Sequence, residues 1–271
     1  MWGTLGNMGT VKMDSLRRGF ALYSHRQRML AEETQLDAVA GAVQAPAAEL
    51  REVSKVYGTF AALKNVSVAF EAGSATMILG ENGAGKSTLL RMVAGLIEPS
   101  RGSVRVLGGE AGEREGRVAY MSHAAMLYDE LSAMENLRYF ASLGSGGCCD
   151  CVGGPEMALK AVGLDPALKR PVGQYSQGMR QRTSLARVIQ SDPELLLLDE
   201  PFSNLDVESA RAMVALIAEF RTWPAYGQGK SGRRTVIFTT HQAHLGVPIA
   251  DRVLTMRAGK IVSDVSGGVG A

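Results

Sequence analysis

The residues best placed to do chemistry lie between Ser74 and Thr88. There Gly80-Glu81-Asn82-Gly83-Ala84-Gly85-Lys86-Ser87-Thr88 fits the spacing G-x-x-x-x-G-K-[ST] in full. Such a loop is suited to holding phosphate. Its glycines let the backbone turn with N–H groups pointing inward, and the helix that follows adds the partial positive charge of its N-terminus. Lys86 is expected to neutralise phosphate charge as a point cation and the Ser87 hydroxyl to coordinate Mg²⁺. A glycine-rich turn with no ligand is the bland alternative. Against it, a buried strand over Ala75 to Leu79 and a helix over Lys86 to Leu96 fall where a phosphate loop needs them.

Three further groups bear on the same chemistry. Leu195-Leu196-Leu197-Leu198-Asp199-Glu200 is a short apolar run ending in two carboxylates, which suits a fully buried parallel strand whose end opens beside the phosphate loop. Asp199 is then placed to join a Mg²⁺ shell and Glu200 to accept a hydrogen bond from an attacking water. Buried strands also end in acids simply because the chain meets solvent there, and the pairing with an upstream phosphate loop is what favours the functional reading. His241 leaves the apolar strand Thr235 to Thr240, where it is a candidate γ-phosphate contact, although a lone histidine is more often a hydrogen-bonded surface residue. Ser176-Gln177-Gly178 opens a helix carrying Arg180, Arg182 and Arg187. This reads either as a second anion site or, taken alone, as an ordinary N-cap.

The elements that must carry these residues alternate between strand and helix patterns. Leu50 to Tyr57 and Leu63 to Phe70 alternate as half-buried strands do and suggest an antiparallel hairpin, with the exposed ring of Tyr57 able to stack on a nucleotide base. Ser103 to Leu107 and Arg117 to Ser122 are further strand candidates. Ser132 and Glu135 form a capping box at the head of an amphipathic helix. A glycine-dense loop from Gly144 to Gly154 separates it from a helix over about Glu156 to Val162, and another helix runs from Val207 to Phe220. The last strands, Arg252 to Met256 and Lys260 to Val265, are joined by Ala258-Gly259.

Composition narrows the rest. The formal net charge of +2 and the lack of a basic stripe give no reason to expect nucleic acid. No stretch approaches the roughly 20 apolar residues of a membrane-spanning helix, and no secretory signal opens the chain, so a cytoplasmic location is expected. Cys148, Cys149 and Cys151 are too closely spaced for a closed zinc site and read as reduced thiols. Residues 1–46 read as a flexible extension, with a partial helix around Arg26 to Gln35, and 267–271 as a tail.

Taken in order over residues 47–266, these motifs resemble the ATP-binding subunits of ABC transporters. Tyr57 matches the family's adenine-stacking aromatic and Gly80 to Thr88 its phosphate loop. Ser176 and Gly178 match its signature, Asp199 and Glu200 its Mg²⁺-binding and catalytic acids, Asp206 its D-loop and His241 its switch histidine. Two positions depart from the pattern. His123 stands where the family has a glutamine in its coupling loop, which puts metal coordination at that corner in doubt. Gln177 and Met179 also replace the usual Gly and Gln of the signature. With Thr239-Thr240-His241-Gln242, these departures look most like the haem-exporter ATPases of cytochrome c maturation, the CcmA group. The resemblance implies an α/β fold with a P-loop core on a mainly parallel sheet, an antiparallel β subdomain and a helical subdomain over about 124–190. It also implies ATP and Mg²⁺ as ligands, a head-to-tail homodimer or paired ATPase subunit, and a separate integral-membrane permease as the only route to the membrane. Three rivals stand beside this reading: an exporter ATPase for a lipid, antibiotic or other drug; a non-transport ABC ATPase acting on DNA, ribosomes or iron–sulfur assembly; and a non-catalytic scaffold, which the intact Lys86, Asp199, Glu200 and His241 argue against.

Overall fold

The computed structural model describes residues 45–113, 117–143, 154–222 and 234–267, which form two compact units. The larger, over residues 45–125 and 192–267, holds both sheets. Its elements are β1 (Ala48–Tyr57), β2 (Phe60–Phe70), β3 (Ala75–Leu79), α1 (Lys86–Val93), β4 (Arg101–Val106), β5 (Gly109–Glu110), β6 (Val118–Met121), β7 (Leu195–Asp199), α5 (Val207–Phe220), β8 (Thr235–Thr240), α6 (Ala243–Gly246), β9 (Arg252–Arg257) and β10 (Lys260–Ser266). The smaller unit, Met126–Ser191, is helical, with α2 (Ala133–Leu143), α3 (Gly154–Ala161) and α4 (Gln177–Ile189). The expected partial helix around Arg26 to Gln35, the three cysteines and residues 268–271 lie outside the described residues.

The six-stranded sheet has the order β10-β9-β3-β8-β7-β6, and its pairings from β9 through β6 are all parallel. Parallel strands covered on both faces carry continuous apolar sequence, as β7 shows, with Leu195 to Leu198 all fully buried. Each such leucine contributes about 1.5–3 kcal/mol through the water-accessible area it loses. Only β10 runs antiparallel, and it turns back through Ala258 (φ 49°) and Gly259 (φ 80°), the two left-handed residues of a tight hairpin.

The four-stranded sheet, ordered β2-β1-β4-β5, is antiparallel throughout. The β1–β2 hairpin is longer than its alternation suggests, reaching from Ala48 to Phe70 around a turn at Gly58 (φ 57°). One apolar cluster joins the two sheets. It includes Leu50, Leu63, Val66 and Phe70 from the antiparallel sheet, Leu89, Leu90, Met92 and Val93 from α1, and Ile78, Leu195, Leu197, Ile237 and Leu254 from the parallel sheet.

The expected helix over Lys86 to Leu96 is shorter in the structure and stops at Val93. Gly95 takes φ 73°, its N–H bonds the Met92 carbonyl, and the Leu96 N–H reaches back to Arg91. These two bonds make a Schellman stop, a signal that lay in Gly95 itself. In the helical unit the Ser132–Glu135 capping box forms in both directions, with Ser132 N–H donating to Glu135 Oε2 at 2.8 Å and Glu135 N–H to Ser132 Oγ at 3.3 Å.

Leu197 lies at the middle of β7, with neighbours on both sides and no exposed surface. Leu197→Ala is expected to lower stability by about 2–5 kcal/mol. Urea unfolding should show this as a reduced midpoint with an unchanged slope.

Candidate active site

The C-terminal ends of β3, β7 and β8 converge on a cavity of about 640 Å³. It is lined by the loop Glu81 to Thr88 and by Phe60, Ala62, Arg91, His123, Asp199, Glu200, Ser203, Asn204, His241 and Gln242. Its position follows from topology, since ligands in open α/β sheets sit beyond the carboxyl ends of the strands.

The three glycines of the loop divide between two roles. A Cβ on Gly80 would lie 2.5 Å from the Met256 carbonyl, and one on Gly85 would lie 2.6 Å from that of Ala62, so both allow the loop to pack against β9 and β2. A Cβ on Gly83 (φ 81°) would meet nothing within 4 Å, so this glycine serves the turn and leaves the cradle open. Gly85 caps α1 without a side-chain hydrogen bond, and no acidic residue stands in the first turn. The helix therefore offers its N-terminal N–H groups to an external anion. Lys86, 6% exposed, donates to the Gly80 and Glu81 carbonyls at 2.6 and 3.2 Å and lies 3.5 Å from Glu200 Oε1.

Asp199 is 1% exposed, and hydroxyls compensate its burial. Ser87 Oγ and Thr239 Oγ1 donate to Oδ1 at 2.9 and 2.8 Å, and the Tyr120 hydroxyl donates to Oδ2 at 3.1 Å. Burial pushes the Tyr120 phenol up to about 12, the nearby carboxylate adding to the effect, so it remains a protonated donor across neutral pH. The Ser87–Asp199 pair supplies hard oxygen donors of the kind Mg²⁺ takes. Among the described residues no group of three or more His, Cys, Asp or Glu side chains could hold a metal. A cation held by one or two protein oxygens together with phosphate and water fits this arrangement.

Glu200 adopts φ 52°, a left-handed conformation costing a non-glycine residue about 1–3 kcal/mol. Three bonds hold it there. Its N–H donates to Thr239 Oγ1 at 2.9 Å, and its Oε2 accepts from the His241 N–H at 3.3 Å and meets His241 Nδ1 at 2.9 Å. Among the described residues Glu200 Oε1 has no hydrogen-bond donor, and it faces the Lys86 ammonium.

The structure thus gathers Glu81 to Thr88, His123, Asp199, Glu200 and His241 around one cavity. Tyr57 and Gly80 are not among the lining residues. Tyr57 stands under the Lys55 ammonium, and the aromatic ring that lines the cavity is Phe60, two residues past the hairpin glycine. Asp206 caps α5 by accepting from the Ser209 N–H at 2.8 Å, a bond that holds its carboxyl below the ordinary range. In the helical unit Ser176 caps α4, its Oγ accepting from the Met179 N–H at 3.3 Å. Tyr120, Thr239 and Phe60 escape a reading by motif. Strand register exposes Thr239, which pairs directly with Asp199.

A lysine-bearing glycine loop beside a carboxylate at the tip of a buried parallel strand defines a P-loop nucleotide-binding protein. The profile of the family described as ABC transporter matches residues 63–203. A second profile, described as AAA domain, putative AbiEii toxin, Type IV TA system, matches 162–247. The chain is 32% identical over 206 residues to the ABC transporter ATP-binding protein NatA of Bacillus subtilis, covering 74% of this chain and 80% of that one. It is 31% identical to the Fe(3+) ions import ATP-binding protein FbpC of Rhizobium etli, over 78% of this chain but only 58% of the relative's length. A solved dimeric ATP-binding cassette bound to ADP and Pi superposes with a TM-score of 0.68 at 22% identity, over 81% of this chain and 98% of that one. The chain belongs to the ABC transporter family, whose ATPase cassettes bind and hydrolyse ATP with Mg²⁺.

Thr239 serves both acids at once, so Thr239→Val leaves the Glu200 N–H without its acceptor and Asp199 with one donor fewer. A loss of about 1–3 kcal/mol in urea unfolding is expected, with Thr239→Ser close to wild type because the hydroxyl is kept.

Proposed function

We propose that the chain is the ATP-hydrolysing subunit of a transporter that exports haem for cytochrome c maturation. The observation that carries the catalytic part is the placement of Glu200, tied to His241 through Oε2 with Oε1 beside Lys86. The haem assignment is supported by His123 at the coupling-loop position, by the Tyr-Ser-Gln-Gly-Met signature at Tyr175 to Met179, and by Thr239-Thr240-His241-Gln242. Relatives such as FbpC carry import in their names, so the cassette alone does not set the direction of transport.

In this reading ATP lies with its phosphates in the Gly80 to Thr88 loop. Phe60 and Tyr57 are the rings available to the base. Two copies pack head to tail, and the Ser176-Gln177-Gly178 turn of the second copy closes on the γ-phosphate. Because that contact exists only in the closed state, ATP shifts the population toward the dimer. Glu200 accepts a hydrogen bond from water and takes its proton as the oxygen attacks phosphorus, while the bond to the leaving ADP oxygen breaks. His241 steadies the Glu200 carboxylate, and Lys86 offsets charge on the phosphates. Bound at Ser87 and Asp199, Mg²⁺ would supply further charge neutralisation on the phosphate oxygens.

Loss of the γ-phosphate removes the bridge and lets the pair separate. A permease on the cytoplasmic face of the inner membrane would convert that cycle into transport, docking on the helical region between His123 and Gln174. Membrane contact is through this partner only, and nucleic acid has no part in it. Among the described residues no helix is long and apolar enough to cross a membrane.

Glu200→Gln is expected to keep ATP binding, accumulate dimer on size-exclusion chromatography and lose at least about 100-fold in turnover. Lys86→Ala should instead weaken ATP binding itself. Unchanged turnover in Glu200→Gln removes the base assignment. For the cargo, affinity purification of the tagged chain from detergent-solubilised membranes is expected to bring down a haem-handling membrane subunit. Recovery of a permease for another cargo overturns haem export and leaves the ATPase assignment standing.

A further inference from the structure

We propose that Tyr120 is a positioning residue of the ATPase, aiming the free face of the Asp199 carboxylate at the metal corner of the site. The proposal rests on the reading of Asp199 as a Mg²⁺ group.

Tyr120 lies opposite Leu197 in the parallel β6–β7 pair. Asp199 is two residues beyond Leu197, so its side chain leaves the same face of the sheet. That diagonal is within reach of a tyrosine and of few shorter side chains. The outcome is the 3.1 Å bond from the Tyr120 hydroxyl to Oδ2.

The two Asp199 oxygens are not equivalent. Oδ1 accepts from both Ser87 and Thr239 and is filled by protein donors. On Oδ2, Tyr120 is the donor that the described residues provide, which leaves that oxygen with acceptor capacity to spare. The terminal torsion of an aspartate is broad and roughly two-fold, so bonds at Oδ1 alone do not fix where the spare capacity points. Tyr120 fixes it. The Ser87 hydroxyl can meanwhile donate to Oδ1 and turn a lone pair toward a cation. The two groups expected at the metal are thereby oriented by one connected set of hydroxyls, and partners of this kind typically alter metal affinity by about 10–100-fold when removed.

Tyr120→Phe keeps the ring and deletes the hydroxyl. The experiment follows binding of a fluorescent ATP analogue to the full chain, first in EDTA and then across a Mg²⁺ titration, with no turnover measured. The expected result is an affinity in EDTA within about twofold of wild type and a Mg²⁺ midpoint raised about tenfold or more. A variant that unfolds at lower urea but shows the wild-type Mg²⁺ midpoint would mean that the hydroxyl only stabilises the fold, and it overturns the proposal. Wild-type protein whose nucleotide binding ignores Mg²⁺ overturns the reading of Asp199 as well.

If Tyr120→Phe does not fold, wild-type protein labelled with fluorotyrosine gives the second measurement, its resonances assigned through substitutions of the other tyrosines. Adding Mg²⁺ to the nucleotide-bound protein should shift the Tyr120 signal, and a signal that stays put overturns the proposal.

Discussion

Asp199 sits at the end of β7 with 1% of its surface exposed, and its charge is tolerable there because three hydroxyls converge on it. Those hydroxyls come from α1, β6 and β8, so one carboxylate ties the phosphate-loop helix to three neighbouring strands. The packing of the leucines behind it sets the precision of that junction. β7 is clamped between β6 and β8 by two parallel ladders and has no exposed side chain before its acid. Stability and chemistry therefore meet at the same strand end. The apolar run holds the backbone still, and the hydroxyls determine how the acid is presented.

Glu200, the next residue, shows what that rigidity permits. A left-handed glutamate is unfavourable in isolation and persists only where its surroundings over-determine it. Thr239 holds its backbone N–H, and His241 holds one oxygen of its side chain. The other oxygen is kept for the cavity. Thr239 thus links the two acids, since its single hydroxyl donates to Asp199 while accepting from Glu200. The polarity of that O–H couples the two acidic residues.

Much of this is legible in sequence because it is local. The phosphate loop, the capping box at Ser132, the buried strand at Leu195 and the tight turn at Ala258-Gly259 each state their structure within a few residues, and each is found where its pattern puts it. The end of α1 is harder to read, because apolar periodicity continues to Leu96 while the left-handed Gly95 stops the helix. Tyr120 and Thr239 escape such a reading, lying 79 and 40 residues from Asp199. Only the parallel register brings them together. Phe60 is hidden for another reason: sequence points to the ring at the strand end, Tyr57, whereas the cavity is lined by the residue that opens the return strand.

The division into two units separates the cavity from the second candidate anion site. Every residue that lines the cavity belongs to the sheet-bearing unit, whereas Ser176 and its helix belong to the other. Ser176 already spends one acceptor position on the Met179 N–H, as any N-cap does, but a hydroxyl retains a donor and a second lone pair. A capped helix end can thus serve its own fold and still present a donor to a phosphate.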